Sequence, residues 1–177
     1  YGPFMHVTNF NHPITQRLSQ ELFWGTTRAI APNFHLEDPE ATVLGEIVYT
    51  LGRCRPGFGV KSFGSGDPQN SWRSVYSAVP TMPSQVLREI ARFAGVHLYN
   101  EEGDVLYATP DLLAVHTVAG GPRTFKLPRQ AEVVHDLFHG CTLAHDACQF
   151  EVTLPPSSSA FYYTGSAEKL QALSGKL

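Results

Sequence analysis

The patterning of the chain changes near residue 100, and no other feature constrains the fold as much. Before that point one amphipathic helix is predicted over 83–94. Pro83 sits near its start and Gly95 at its stop; Val86, Leu87, Ile90, Ala91 and Ala94 share one face, and Arg88, Glu89 and Arg92 another. Apolar runs at 73–79 and 96–99 flank it, the order expected of a parallel βαβ unit. After Tyr99, strands are predicted at 104–108, 112–118, 123–127, 131–138, 149–154 and 159–163, with turns between them and no helix of length. That succession is the mark of an antiparallel meander or sandwich. The expected division is an α/β region over 1–100, an antiparallel β-domain over 101–165, and a tail over 166–177 that forms a short helix or frays.

Upstream, residues 4–8 read as a strand. Pro13 suits the first position of a helix over 14–22, whose apolar residues Ile14, Leu18 and Leu22 form one stripe. Residues 23–39 read as a loop, yet Phe23, Trp24, Phe34 and Leu36 want burial. A strand at 42–49, a turn at 53–57, a strand at 58–63, a polar loop at 64–70 and a strand at 73–79 follow.

Composition narrows the function. The 177 residues are 42% hydrophobic and 11% aromatic, enough for a real core, and the net charge of -3 leaves no electrostatic footprint for nucleic acid or an anionic membrane. No apolar run approaches the ~20 residues that span a bilayer. No basic and apolar leader opens the chain, so a cytoplasmic location is expected, with Tyr1 read as a processed start or the beginning of a piece of a longer chain. Three cysteines, Cys54, Cys141 and Cys148, are too few and odd in number for a disulfide framework; Cys141 and Cys148 are either reduced or paired across a loop.

Several constellations invite chemistry. His135, His139 and His145 lie close to Cys141 and Cys148, but no Cys-x2-Cys pair accompanies them and 131–134 reads as strand, so no metal is expected there. Glycoside hydrolysis needs two carboxyl groups at a controlled separation. Glu37, Asp38, Glu40, Glu101, Glu102 and Asp104 all fall in turn-like segments where solvated acids are the default, so no catalytic residue is assigned. Gly64-Ser65-Gly66 lacks a nucleophile elbow, and Asp111, His116 and Ser77 are not joined by any motif. Gly57-Phe58-Gly59-Val60 precedes a strand, not a helix, so no phosphate loop is read, and no cofactor is implied. Aromatic faces can stack on sugar rings; Trp72, Arg73, Tyr76 and Trp24 are the candidate carbohydrate-binding residues, with core or interface packing as the competing use.

Asn11-His12-Pro13-Ile14-Thr15, followed by Ala41-Thr42-Val43-Leu44-Gly45, resembles a pattern of amidotransferase-like domains, which occur as the trimerisation module of family 42 β-galactosidases and in other long glycosidases. Trp72-Arg73-Ser74-Val75-Tyr76 is similar to the strand before the last helix of such a module. Leu127-Pro128-Arg129-Gln130-Ala131-Glu132-Val133 and Asp136-Leu137-Phe138-His139-Gly140 resemble a region of the terminal β-domain. The resemblance covers roughly residues 4–164. It implies a fold of class α/β plus β: a partial flavodoxin- or amidotransferase-like parallel sheet with a βαβ unit, then a small antiparallel β-domain. The opening strands of such a sheet are missing, which would leave an open edge unless the loop 23–36 folds back over it. Cys54, in Gly52-Arg53-Cys54-Arg55-Pro56-Gly57, lacks the elbow of a working amidotransferase. The resemblance therefore implies a noncatalytic accessory or assembly region of a glycoside hydrolase, whose partner is an upstream catalytic domain of the same chain or a second copy of itself. A free-standing small amidotransferase-like enzyme and a carbohydrate-binding module are the alternatives.

Overall fold

The computed structural model describes residues 2–49, 52–64 and 70–174. Its chain divides into two compact units, residues 1–96 and 97–177. Each is built on a five-stranded sheet, and every strand pair among the described residues is antiparallel. Residues 65–69 of the polar loop read at 64–70 lie outside the described residues.

The first unit contains β1 (Phe4–Val7), β2 (Phe23–Gly25), β3 (Thr42–Val48), β4 (Cys54–Phe63), β5 (Trp72–Ser77) and the helix α1 (Ser84–Phe93), with sheet order β2-β1-β3-β4-β5. Strand side chains alternate between faces, so Met5, Trp24, Ile47, Phe58 and Val60 gather on the covered side. Ile14, Leu18, Val79 and Val86 close over them.

The parallel βαβ unit is not what the chain forms. β5 pairs antiparallel with β4, and residues 96–99 join no strand. The chain leaves α1 through Gly95 at φ 76°, whose N–H donates to the Arg92 carbonyl, while that of Val96 donates to Ala91. Beyond it Tyr99 accepts a hydrogen bond from the Lys126 N–H, and His97 Nε2 lies 2.9 Å from the Lys126 carbonyl. The burying stripe of α1 is Val86, Glu89, Ile90 and Phe93, an i, i+3, i+4, i+7 set. Leu87, expected inside, is 52% exposed, and Ala94 is exposed too. The buried Glu89 carboxylate is met by Arg92 Nε at 3.2 Å.

The helix expected at 14–22 is instead a run of tight turns. Thr15 Oγ1 donates to the Asn9 carbonyl at 2.5 Å and to that of His12 at 3.2 Å, and the Ile14 N–H donates to His12 Nδ1. Such side-chain bonds offer the backbone an alternative to the helical ladder. Of the turn expected at 53–57, residues 54–57 lie inside β4. Gly57 serves packing there: a Cβ on it would sit 2.8 Å from Ile47 Cβ and 2.9 Å from Met5 Cε.

The second unit contains β6 (Val105–Ala108), β7 (Leu112–Thr117), β8 (Gly121–Asp136), β9 (Cys141–Leu154), β10 (Ser158–Gly165) and α2 (Ala167–Ser174), in the order β6-β7-β10-β8-β9. The two strands expected at 123–127 and 131–138 are one, with a register break between Lys126 and Ala131. Bulges of this kind bend a strand. The bend lets Phe125 and Phe150, from one half of the β8–β9 ribbon, meet Tyr162 of β10, which pairs with the other half; ring centroids lie 5.0–6.0 Å apart. Gly120 (φ 67°) precedes β8 because a Cβ would meet Pro156 N at 2.5 Å.

A buried ion pair joins β8 to the segment before β6. Arg123 Nε donates to Asp104 Oδ2 at 2.7 Å and Nη2 to Oδ1 at 3.2 Å, with the side chains only 6% and 4% exposed. Thr117 Oγ1 accepts from Arg123 Nη2, and Asn100 donates to Asp104. Burial pushes the Asp104 carboxyl up, but these bonds outweigh it and hold it below its ordinary value. No helix among the described residues is long and apolar enough to cross a membrane.

Candidate functional site

The β4–β5 hairpin places three of the four expected carbohydrate-binding residues. Register sets Trp72 opposite Phe63 and Arg73 opposite Ser62, so the first pair faces one side of the sheet and the second the other. The Trp72 ring stacks on Phe63 at 4.1 Å with 8° between planes and remains 58% exposed. Lys61 Nζ sits 5.1 Å from the centroid of the Phe63 ring. Two acids hold Lys61: Asp38 Oδ2 at 2.6 Å and Glu40 Oε2 at 2.9 Å.

On the other face, the Arg73 guanidinium lies 4.8 Å from the Phe93 ring centroid and the His12 ring 5.1 Å from it. Burial, then the charge of Arg73, holds His12 below its ordinary pKa. A concavity of about 600 Å³ opens here, lined by Ser62, Ser71, Trp72, Arg73, Ile90 and Phe93 among others. Tyr76 stands on the Trp72 side of β5, but its hydroxyl donates to the Phe34 carbonyl at 2.9 Å and so ties down the loop after β2. Trp24 belongs to the core: it is buried, edge-on to Phe58 at 5.4 Å, and its Nε1 has no hydrogen-bond partner among the described residues. It is not available to a sugar.

The carboxylates have other work. Glu37 meets His35 at 2.7 Å, Asp38 and Glu40 meet Lys61, Glu102 accepts the Glu101 N–H, and Asp104 meets Arg123. Asp111 bridges Arg129 at 2.5 Å and Lys169 at 3.1 Å beside a concavity of about 450 Å³ under α2. Asp136 caps the β8–β9 turn, accepting the Phe138 and His139 N–H groups and His139 Nδ1. His135 pairs with Thr142 and His116 with Ser159, Ser77 donates to the Val79 carbonyl, and all three cysteines are free. His135 and His139 thus have separate partners along the ribbon, Thr142 and Asp136.

A different constellation was hidden by chain distance. His6 on β1, Glu46 on β3 and Cys54 on β4 come together on one face of three neighbouring strands. Residues 6, 46 and 54 show no ligand spacing in sequence; only the pairing of His6 with Glu46, and of Val48 with Cys54, brings them together.

No model of a known protein family matches the chain, and no curated protein matches it. Among solved structures it is similar to the β-galactosidase from Bacillus circulans sp. alkalophilus, with a TM-score of 0.48 and 17% identity. The likeness covers 93% of this chain and 22% of that one, so the chain spans under a quarter of that enzyme's length.

Proposed function

We propose that this chain is a noncatalytic accessory region of a glycoside hydrolase, which helps to assemble or scaffold the enzyme rather than break glycosidic bonds. The observation that carries this reading is the use made of the acids. Asp104, Asp111, Asp136, Asp38 and Glu89 are each engaged by a cation or by backbone N–H groups as anchors of the fold. A glycosidase instead aims two carboxyl groups at one bond. The motif resemblance supplies the kind of enzyme. In this reading the partner is the catalytic domain of the same enzyme, met through the exposed edge of the first sheet. β5 ends that sheet, and unpaired strand edges invite partners. The purified chain should leave aryl galactosides intact; turnover abolished by one substitution within these residues would overturn the reading.

A second reading, carbohydrate binding, is favoured by one specific observation: the exposed Trp72 ring, stacked on Phe63. Stacking platforms of this kind suit the apolar face of a sugar. Isotherms with galactosides and glucans, compared between the native chain and Trp72→Ala, separate it from a purely structural role.

A further inference from the structure

We propose that His6, Glu46 and Cys54 form a zinc-binding site that clips together β1, β3 and β4. Each contributes one donor atom — an imidazole nitrogen, a carboxylate oxygen and a thiol sulfur — and the three lie within 4.8 Å of one another. His6 Nε2 and Glu46 Oε2 are already 3.9 Å apart across the β1–β3 pair. Zinc bonds of about 2.0–2.3 Å set tetrahedral donors roughly 3.3–3.8 Å from each other. The three side chains are half-buried, so a modest closing movement on fixed strands reaches that geometry.

The donor set also selects the ion. Imidazole and thiolate together favour zinc over magnesium or calcium, which take oxygen ligands. Three protein ligands leave the fourth position of the tetrahedron to water. The Cys54 thiol lies 3.8 Å from the Gly52 carbonyl, its acceptor in the metal-free chain. On binding, the thiol releases its proton to solvent and the sulfur lone pair goes to the metal. Phe23 lies opposite His6 on β2, edge-to-face with Phe4 at 6.1 Å, and forms an apolar wall on that side. Because the ligands come from three strands, the ion would bind the folded state and not the unfolded chain, and would stabilise it by mass action.

The test titrates the reduced, metal-free chain with Co²⁺ as a spectroscopic stand-in, then with Zn²⁺. One equivalent of Co²⁺ should produce a thiolate-to-cobalt charge-transfer band that Zn²⁺ displaces. Cys54→Ser should abolish the band, and His6→Ala and Glu46→Gln should each weaken binding at least tenfold. The double variant Cys141→Ser, Cys148→Ser should keep it. A second measurement needs no variant: Zn²⁺ should slow alkylation of Cys54 in the native chain and leave Cys141 and Cys148 labelling at their original rates. Failure to take up one equivalent, a band that survives Cys54→Ser, or equal labelling of Cys54 with and without Zn²⁺ would overturn the site.

Discussion

In the second unit every buried apolar side chain among the described residues, from Leu113 and Val115 through Phe125 and Val134 to Tyr163, comes from a strand. The first unit is closed differently: Ile14, Leu18 and Val79 sit in chain that is neither helix nor strand, and they fill the core beside Val86 of α1. Both solutions bury an apolar sheet face. The strand-only solution follows directly from period-two patterning, whereas the other depends on local side-chain bonds that hold irregular backbone in one place.

The sharpest way to break this comparison is to remove what the second unit buries besides apolar groups. Asp104→Ala strands the Arg123 guanidinium without its partner and should cost about 3–5 kcal/mol, as broken buried pairs do. Denaturant titration checks it, and a loss near zero would mean that the strands alone hold the unit. In the first unit, Ile14→Ala should cost about 2–5 kcal/mol although Ile14 lies outside any helix or strand. A surface-like response would mean that the turn segment is not part of the core.

Acid separates the two units by pH. His12 has a folded pKa below its ordinary 6.5, so the unfolded chain binds more protons there, and the first unit loses stability as pH falls through that value. In the second unit Asp104 and Asp136 have folded pKa values below 3.8, so their contribution is present above 3.8 and is lost only as pH falls below it. Residue-resolved NMR through a pH titration should show the first unit loosening earlier, and His12→Phe should flatten its response near neutrality. Simultaneous loosening would remove the distinction. The smallest effect is expected at Leu87→Ala, within about 0.5 kcal/mol, because the side chain is exposed. A larger loss would show that a partner or another segment covers that face.

These contrasts explain what the sequence made legible. β6, β7, β10 and α1 announced themselves through alternation, Gly and Pro boundaries, and a 3.6-residue stripe. The first half of β9 did not, because its residues 141–149 are mostly exposed and carry no apolar rhythm. The Asp136–Gly140 turn was the available signal, with Asp accepting N–H groups ahead and Gly140 at φ 64°. The run 96–99 read as strand from its Val and Leu, but a βαβ unit also needs a neighbouring strand for the returning chain, and among the described residues β5 pairs only with β4. At the candidate site, Trp72 and Arg73 were visible as an aromatic and a cation after a polar loop. Their stacking on Phe63 and Phe93 depends on register and on a helix far along the chain. His6, Glu46 and Cys54 were beyond any local pattern because strand order alone unites them.

The β8–β9 ribbon also bears on the order of events during folding. Residues 137–140 alone separate its strands, whereas residues 8–41 separate β1 from β3. That difference is about three doublings of loop length, or roughly 2 kcal/mol of closure entropy. Hairpins close in about 1–10 μs, so the ribbon can zip while β1 is still searching for β3. Kinetic φ-values should be high at Val134 and Ala144, which face each other across the ribbon, and low at Met5 of β1. On this account the β8–β9 ribbon reaches native pairing before β1 finds β3.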